Sequence, residues 1–389
     1  MCFKNENKKI IPKIDNGMMI QPNVRRHKFK KQVLFIIMVF FAAFPFAVKA
    51  QSTIGSSASN PFPISTAEQL TSLATCVNSG GVFYYDPADS KYYSESDTDR
   101  VLIADKAQGS FFKLTANIEL NTADVASSEG VGSFNSWTPI GNTNMHPFDG
   151  DFNGDNHLII GACVNQPTTD NAGLFGQTAN HASIRHLGVV KSYICGKSDV
   201  GGIVGKAIGS RIDSCFFFGT VNANDAHVGG IVGMISSSTV VNNCYANAIV
   251  SATVSQLGGI VGCTDNAGDP CTISNCYSSS ILRGYQRYTG GVLGEDKHSQ
   301  TVLSNLFFDQ QMINMLTAGI SPNSISGITG MNTTDMIDGT WAPTGFTASG
   351  AGFYPHITGF DVPSGSVGFL SLVPIILPAG ATLSDLSSV

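Results

Sequence analysis

The chain has 389 residues, of which 42% are hydrophobic and only 13% are charged, so it can bury a sizeable core. Residues 51–389 carry 12 basic and 26 acidic side chains, a net charge of −14. Because phosphate binding needs a basic face, this balance argues against nucleic acid as a partner.

The first 50 residues predict an export signal. Five basic residues between positions 25 and 31 precede an uncharged, mostly apolar run over 32–48, and Ala50 follows. A cationic segment, a short apolar segment and a small-residue cleavage site are typical of a secretory signal peptide, here residues 1–50. The alternative is a single membrane anchor, which the shortness of the run and Pro45 disfavour. We expect an exported protein, at the cell surface or extracellular, with no membrane span after cleavage.

The next segment predicts a leader and one helix. Residues 51–63 are rich in Ser, Asn and Pro and are expected to form a flexible leader. A capping box at Ser65–Glu68, apolar residues at helical spacing and a stop at Gly80 predict a helix that caps a stack of coils. Short β-like pieces then suggest that 64–171 combines this cap with the first coils of the stack. These pieces lie at 111–120, 137–140 and 157–160.

Residues 172–311 contain a repeat. A glycine-rich phrase occurs five times, and the second residues of successive copies are 29, 28, 29 and 32 positions apart. The copies are AGLFG at 172–176, GGIVG at 201–205, 229–233 and 258–262, and GGVLG at 290–294. A near-constant period of this length predicts stacked coils of short strands. The paired glycines would allow tight turns and close approach between the coils.

A second phrase recurs in step with the glycines and predicts rows of like residues, one from each coil. The first row is aliphatic: Ile184, Ile212, Val241, Ile273 and Leu303. The second contains Leu187, Cys215, Cys244, Cys276 and Leu306. The two rows are three residues apart, so a bend must separate them. Asn243, Asn275 and Asn305 stand at that bend, where Asn tolerates left-handed geometry and stacked amides can pair.

An aromatic row follows the cysteine row and leaves two interpretations open. Its members are Phe216, Tyr245, Tyr277 and Phe307. Exposed aromatic side chains could bind the flat faces of sugars. The alternative, which the repeat architecture favours, is an aromatic stack that covers the core.

The remainder of the chain loses the repeat. Residues 312–360 are expected to close the stack as a C-terminal cap. Residues 361–389 include VGFLSLVPIILP, which predicts either an extra strand pair or a truncated downstream module, since too few residues remain for another domain.

The repeat unit, G-G-[IV]-[VL]-G followed by I-x-N-C-[YF], resembles the GLUG repeat of bacterial exported proteins. Flanking phrases fit the same families: ISTAEQL at 64–70, FKLTANIEL at 112–120, WTPIG at 137–141 and FFDQQM at 307–312. The resemblance implies an all-β, right-handed parallel β-helix, a solenoid whose short N-terminal helix caps the stack, often described as adhesin-like. Relatives that cleave immunoglobulin A carry a zinc peptidase domain marked by H-E-x-x-H. No H-E pair occurs here, so the resemblance supplies no catalytic residue.

One motif is similar to a metal site. Asp149, Asp151 and Asn153 match the first half of a calcium loop, D-x-D-x-N-G, with Gly154 at the turn position. Position twelve, where a bidentate Glu would complete the shell, is Ile160. The alternative is a tight turn between strands. Calcium is the one cofactor that the sequence suggests, and no other is expected.

The cysteines divide into two groups. Cys215, Cys244 and Cys276 share one repeat position and are expected to be buried small apolar residues. Cys263 and Cys271 flank an insertion found in a single repeat, and closing so short a loop by a disulfide is geometrically easy.

The charged residues of the repeats predict no catalytic site. Carboxylates between 172 and 311, and the histidines there, show no common repeat phase, so no acid–base pair is expected on one face. We predict a non-enzymatic surface protein, adhesive or structural, whose partner is a glycan or a host or matrix protein. The alternative is a carbohydrate-binding or carbohydrate-active protein on the same scaffold, which a carboxylate pair and a base meeting in one groove would favour.

Overall fold

The computed structural model describes residues 53–126, 133–179, 181–265, 269–284, 288–313 and 326–360. The predicted signal peptide at 1–50 and the segment 361–389 therefore lie outside the described residues. Within the described ranges, no helix has the length and apolar character needed to cross a bilayer.

Helix α1 (Ala67–Ser79) begins at a capping box, as the sequence predicts, but one residue later than expected. The Thr66 hydroxyl accepts from the Gln69 amide at 3.3 Å, and the Gln69 side chain accepts from the Thr66 amide at 3.2 Å. The predicted Ser65–Glu68 pair does not form, because the side chain of Gln69 folds back instead. The helix ends at Gly80 with φ 75°, and its buried face joins the same core as the first coils.

The N-terminal region contributes the first coils and a small additional sheet. Its strands are β1 (Phe62–Ile64), β2 (Phe83–Asp86), β3 (Lys91–Tyr93), β4 (Val101–Ile103), β5 (Phe111–Leu114), β6 (Ile118–Glu119), β7 (Asp151–Asn153), β8 (Leu158–Ile160) and β9 (Cys163–Asn165). The end of the predicted leader is ordered as β1, which pairs in parallel with β5. Strands β2, β3 and β4 pair antiparallel, and their buried aromatic side chains pack into the core near α1.

The repeats form the shaft of a parallel β-helix, as predicted. Their strands are β10 (Phe175–Thr178), β11 (Ser183–Gly196), β12 (Val200–Gly201), β13 (Val204–Ile208), β14 (Arg211–Ala223), β15 (Ala226–Gly229), β16 (Val232–Ser236), β17 (Val240–Asn242), β18 (Tyr245–Ala252), β19 (Ser255–Gly258), β20 (Val261–Asp265), β21 (Thr272–Ser278), β22 (Ile281–Arg283), β23 (Thr289–Gly290), β24 (Leu293–Asp296) and β25 (Val302–Asp309). Each coil adds strands to three parallel sheets, which are the long sheet of β11, β14, β18 and β21, the sheet β10-β13-β16-β20-β24, and the sheet β12-β15-β19-β23.

The predicted rows of like residues are confirmed by the strand register. Ile184 pairs with Ile212, Val241 pairs with Ile273, and Ile273 pairs with Leu303. The bend between the rows is confirmed as well, since its residues all have left-handed backbone. They are His186, Ser214, Asn243, Asn275 and Asn305, with φ between 50° and 54°.

The predicted pairing of amides along the bend is present at one step. The Asn305 side chain donates to Asn275 Oδ1 at 2.7 Å. Asn275 in turn donates to Asn242 Oδ1 at 2.9 Å, not to the equivalent Asn243. Asn243 lies beside Gly345 of the C-terminal segment, and its Oδ1 is buried without a hydrogen-bond partner among the described residues.

The glycine phrases place backbone against backbone. A Cβ built on Gly201 would lie 2.2 Å from the Val204 carbonyl oxygen, and one on Gly233 would lie 2.3 Å from the Val200 nitrogen. Real Cβ atoms do not come this close to backbone, so these positions require glycine. The second glycine of the phrase faces the core instead, where a Cβ on Gly202 would lie 2.2 Å from the Phe217 ring.

The C-terminal segment does more than close the stack. Strand β26 (Ile328–Met331) pairs with β25 and continues the long sheet. Helix α2 (Thr333–Met336) follows, and β27 (Phe346–Thr347) pairs antiparallel with β28 (His356–Ile357). Residues 333–360 run back along the outside of the shaft. The expected end cap at 312–360 is therefore, in its described part, a cover along one face.

We expect Gly233→Ala to lower the free energy of unfolding by about 3 kcal/mol or more, because the added methyl meets backbone that cannot move independently. The matched control is Gly81→Ala. There the methyl meets nothing within 4 Å and only a φ of 79° opposes it, a cost of about 1–2 kcal/mol. Denaturant unfolding of both variants measures the difference. Equal losses would contradict the backbone-contact explanation.

Candidate functional site

The aromatic row forms on the outside of the shaft. The ring centroids of Phe216 and Tyr245 are 5.1 Å apart, and those of Tyr245 and Tyr277 are 5.0 Å apart, with near-parallel planes in both pairs. The exposed fractions of these three side chains are nevertheless 6%, 4% and 0%. The row is therefore not an open sugar-binding platform in this structure.

Residues 333–360, called here the strap, cover the aromatic row. Trp341 packs edge-on against Phe307 at 5.3 Å, and three coils earlier Phe360 packs against Phe216 at 5.0 Å. Tyr277 donates to the Pro355 carbonyl at 2.5 Å. The strap and the row thus form a second apolar core outside the shaft.

One buried carboxylate anchors the strap. Asp309 is 0% exposed, and its Oδ2 accepts from the Tyr354 hydroxyl at 2.5 Å. Its Oδ1 accepts from the amides of Gln311 and Met312. Burial, followed by this hydrogen bond, raises the pKa of Tyr354, so the phenol stays protonated and donates. A charged acceptor inside an apolar core needs such donors.

A second feature, called here the polar seam, runs along the shaft beside the glycine phrases. Two rows of side chains line it. The corner row, with φ between 52° and 62°, consists of Asn171, Asp199, His227, Gln256 and Tyr288. The facing row, in parallel register on β10, β13, β16, β20 and β24, consists of Gln177, Lys206, Met234, Cys263 and Glu295.

The seam contains a close charged cluster. Asp199 is 8% exposed, and its Oδ1 lies 2.6 Å from His227 Nδ1 while its Oδ2 lies 3.7 Å from Lys206 Nζ. Two coils further, Gln256 Nε2 donates to Glu295 Oε2 at 2.8 Å. The Asp199–His227 and Gln256–Glu295 contacts cross between coils, so the seam holds neighbouring coils in register as well as displaying polar groups.

The expectation that charged residues share no repeat phase is wrong for this seam. Asp199 and His227 are 28 positions apart, the same step that separates Gly202 from Gly230. Both hold the corner position, so stacking brings them into contact. The signal was available in the sequence. His186 likewise occupies the phase of the bend.

The chemistry available to the seam is limited by burial. Cys263 lies on the facing row, with its sulphur 3.9 Å from Glu295 Oε2. Burial raises the pKa of the Cys263 thiol, so the nucleophilic thiolate is disfavoured. Asp199 orients the imidazole of His227, an arrangement that could support proton transfer if a substrate reached the other ring nitrogen.

Two of the three candidate calcium residues are bonded to other groups of the chain. Asp151 Oδ1 accepts from Arg185 at 2.7 Å, and Asn153 Oδ1 accepts from the Asp155 amide at 2.9 Å. Asp149 Oδ1 is buried without a hydrogen-bond partner among the described residues, and burial raises the pKa of this carboxyl. Across the described ranges, no group of three or more His, Cys, Asp or Glu is placed to hold a metal. Asp151 and Asn153 are thus engaged by other groups, and calcium binding at this motif stays a prediction.

The cysteine row is buried as expected. Cys215, Cys244 and Cys276 are all 0% exposed, and the Cys244 amide donates to the Cys276 sulphur at 3.4 Å. Burial raises the pKa values of the Cys215 and Cys276 thiols well above the usual range, so these two thiols stay protonated and pack as small apolar groups.

The predicted Cys263–Cys271 disulfide is not present in the structure, where both residues are buried free thiols. Cys263 lies on β20 and points into the seam. Cys271 immediately precedes β21 of the long sheet, and its carbonyl accepts from Val302 of the next coil. The two residues therefore belong to different sheets on either side of the insertion.

Comparisons with known proteins agree with the fold. No protein-family model matches the chain. The chain is 30% identical to Halomucin of Haloquadratum walsbyi over 207 residues, which are 52% of this chain. It spans only 2% of the length of Halomucin. A crystal structure from Bacteroides ovatus, described as a candidate immunoglobulin A1 protease, superposes with a TM-score of 0.50 at 17% identity. That match covers 78% of this chain and 94% of the other. At this identity the likeness shows a shared fold.

We expect Tyr354→Phe to destabilise the strap by about 1–3 kcal/mol, because the buried Asp309 carboxylate loses a donor. Limited proteolysis of residues 333–360 and thermal unfolding would both report it. Tyr84→Phe, at a half-buried position on β2, is the control and should change neither. Unchanged protease resistance in Tyr354→Phe would contradict the anchoring role of Asp309.

We expect Asp199 and His227 to be energetically coupled by about 1.5–3 kcal/mol, as for a hydrogen bond to a charged group. A double-mutant cycle with Asp199→Asn and His227→Gln measures this coupling in unfolding experiments. The control cycle uses Asp170 and Lys197, a half-exposed pair at 3.9 Å, which should couple by less than about 1 kcal/mol. Equal coupling in the two cycles would contradict a structural role for the seam.

Proposed function

We propose that the chain is a GLUG-type exported protein displayed on a bacterial surface, where its β-helix serves as a non-catalytic adhesive or structural module. Its partner would be a glycan or a host or matrix protein. The observation that carries this proposal is the way in which the shaft uses its charged side chains.

Those side chains bond from coil to coil. Arg185 meets Asp151 at 2.7 Å, and Asp213 accepts from Asn242 at 2.6 Å. Lys297 lies 3.5 Å from Asp265 on the neighbouring coil. A carboxylate paired in this way is neutralised and held, whereas an acid–base pair in catalysis must face the substrate. The pattern supports a structural shaft more than a reaction centre.

The likeness to Halomucin supports the proposal at the level of architecture. A stretch similar to half of this chain forms a small part of a much longer protein, as expected of a module that is repeated or appended.

The second candidate is a carbohydrate-binding or carbohydrate-active protein, and the polar seam favours it. In this seam the Asp199 carboxylate lies beside two basic side chains, those of His227 and Lys206. Glu295 lies on the facing row two coils beyond His227. A catalytic role would require the ring of His227, whose side chain is 20% exposed, to reach a glycosidic bond.

Residues 51–389 should bind a defined class on an array of glycans and matrix proteins, and should leave bound oligosaccharides intact. Mass spectrometry of the supernatant after incubation tests the second point. Release of cleaved sugar that His227→Gln abolishes would favour the enzymatic alternative. If the protein binds no element of the array, the adhesive role is contradicted and a structural role remains.

A further inference from the structure

The described strap ends beside the first coils of the shaft. Phe360 packs edge-on against Phe216, with 5.0 Å between the ring centroids. A Cβ on Gly359 would lie 3.8 Å from the side-chain nitrogen of Asn156, which stands two residues before strand β8. Residues 361–389 continue the chain from this point, so whatever they contact first lies on the outer face of these coils.

The outer face of the long sheet stays apolar where the described strap stops. Phe216 pairs in register with Gly188, and Gly188 pairs with Leu158, so the aromatic row continues into an aliphatic residue. Leu158, Ile160 and Phe218, called here the open strip, are only partly buried. All three pack against the second apolar core, the one that the strap covers. The open strip is therefore the edge of an interface that already exists.

The open strip is short and has a polar boundary. Ile160 pairs with Glu119, whose side chain is exposed, and the Leu158 amide donates to Asn117 Oδ1 at 2.9 Å. From Leu158 to Phe218 the strip spans two coil steps, about 10 Å. Three partly buried side chains offer far less than the ~800 Å² per partner that a stable dimer buries. A short apolar segment suits the strip better than a second copy of the chain.

Residues 367–378 have the composition and the reach for that role. Their sequence, VGFLSLVPIILP, contains eight aliphatic or aromatic side chains and no charged one. An extended chain covers about 3.3 Å per residue, so Val367 can stand up to about 23 Å from Phe360, twice the length of the strip. Because segment and strip belong to one chain, the effective concentration of the segment is on the order of millimolar.

The strap shows how such a segment is held. Side chains make its contacts with the aromatic row, as Phe360 does with Phe216, and one tyrosine donates to the buried Asp309 carboxylate. Pro374 and Pro378 interrupt the apolar segment, and neither can donate a hydrogen bond to a neighbouring strand. Side-chain packing on a sheet face, as in the strap, therefore suits the segment better than strand pairing.

We propose that residues 367–378 dock on the open strip and extend the apolar core of the strap over the first coils. The segment is then a cover for the shaft rather than the beginning of a separate module. The inference is independent of the proposed adhesive role, because it concerns a contact within the chain. It also gives the second apolar core an end, since Asn117 and Glu119 bound the strip on the far side.

Photo-crosslinking from the open strip tests the contact directly. Residues 51–389 are prepared with Phe218→p-benzoylphenylalanine, irradiated and digested, and the cross-linked peptides are identified by mass spectrometry. We expect cross-links to peptides from 367–378 of the same chain. Val254→p-benzoylphenylalanine is the control, on the loop between β18 and β19 at a position that is 51% exposed, and should not reach that segment. Mixing unlabelled and 15N-labelled protein separates links within one chain from links between two copies.

A charge pair in the segment gives the second measurement. F369D/L370D should lower the cross-link yield at least fivefold, because two carboxylates cannot enter an apolar contact without partners. S387D/S388D adds the same charges outside 367–378 and should leave the yield unchanged. Ile160→p-benzoylphenylalanine replaces the Phe218 variant if circular dichroism shows that the latter is unfolded. Absence of links to 367–378, links only between two copies, or a yield that F369D/L370D does not change would each overturn the inference.

Discussion

Each repeat turns back on itself at the glycine phrase, where two backbones meet with no side chain between them, and the rest of the shaft depends on that contact. A Cβ on Gly205 would lie 2.7 Å from the Asp199 carbonyl oxygen, and one on Gly262 would lie 2.4 Å from the Val228 nitrogen. Because every copy makes the same turn, equivalent residues stack at the spacing of paired strands, about 4.8 Å. The aliphatic, cysteine and aromatic rows follow from this register.

The rows inside the shaft and those outside it make different contacts. Inside the shaft, like residues stack and fill the core. Outside it, the aromatic row is buried by the strap, and the charged residues of the seam bond to the neighbouring coil. Much of the aromatic and charged surface of the repeats is thus occupied by contacts within the chain.

The period of the repeat was enough to predict the coils, the aliphatic and cysteine rows and the left-handed bend at Asn243, Asn275 and Asn305, because each depends only on what lies one coil away. Asp199 and His227 follow the same rule, because they share one phase of the repeat. The strap and the packing of α1 could not be found in this way. The contact of Tyr354 with Asp309, and that of α1 with β3, join segments that have no period, so tertiary packing alone decides them.

The central claim is that the glycine phrases lock adjacent coils together through their backbones. The amides of Ile203, Ile231 and Ile260 each donate to the equivalent residue of the next coil, at 2.9–3.0 Å. Native-state hydrogen exchange on residues 51–389 measures them directly. The account predicts that these three amides exchange only on global unfolding, with protection equal to that of the core strands. Exchange at the rate of the surface loops would show that the coils open independently at the glycine phrases, and would contradict it.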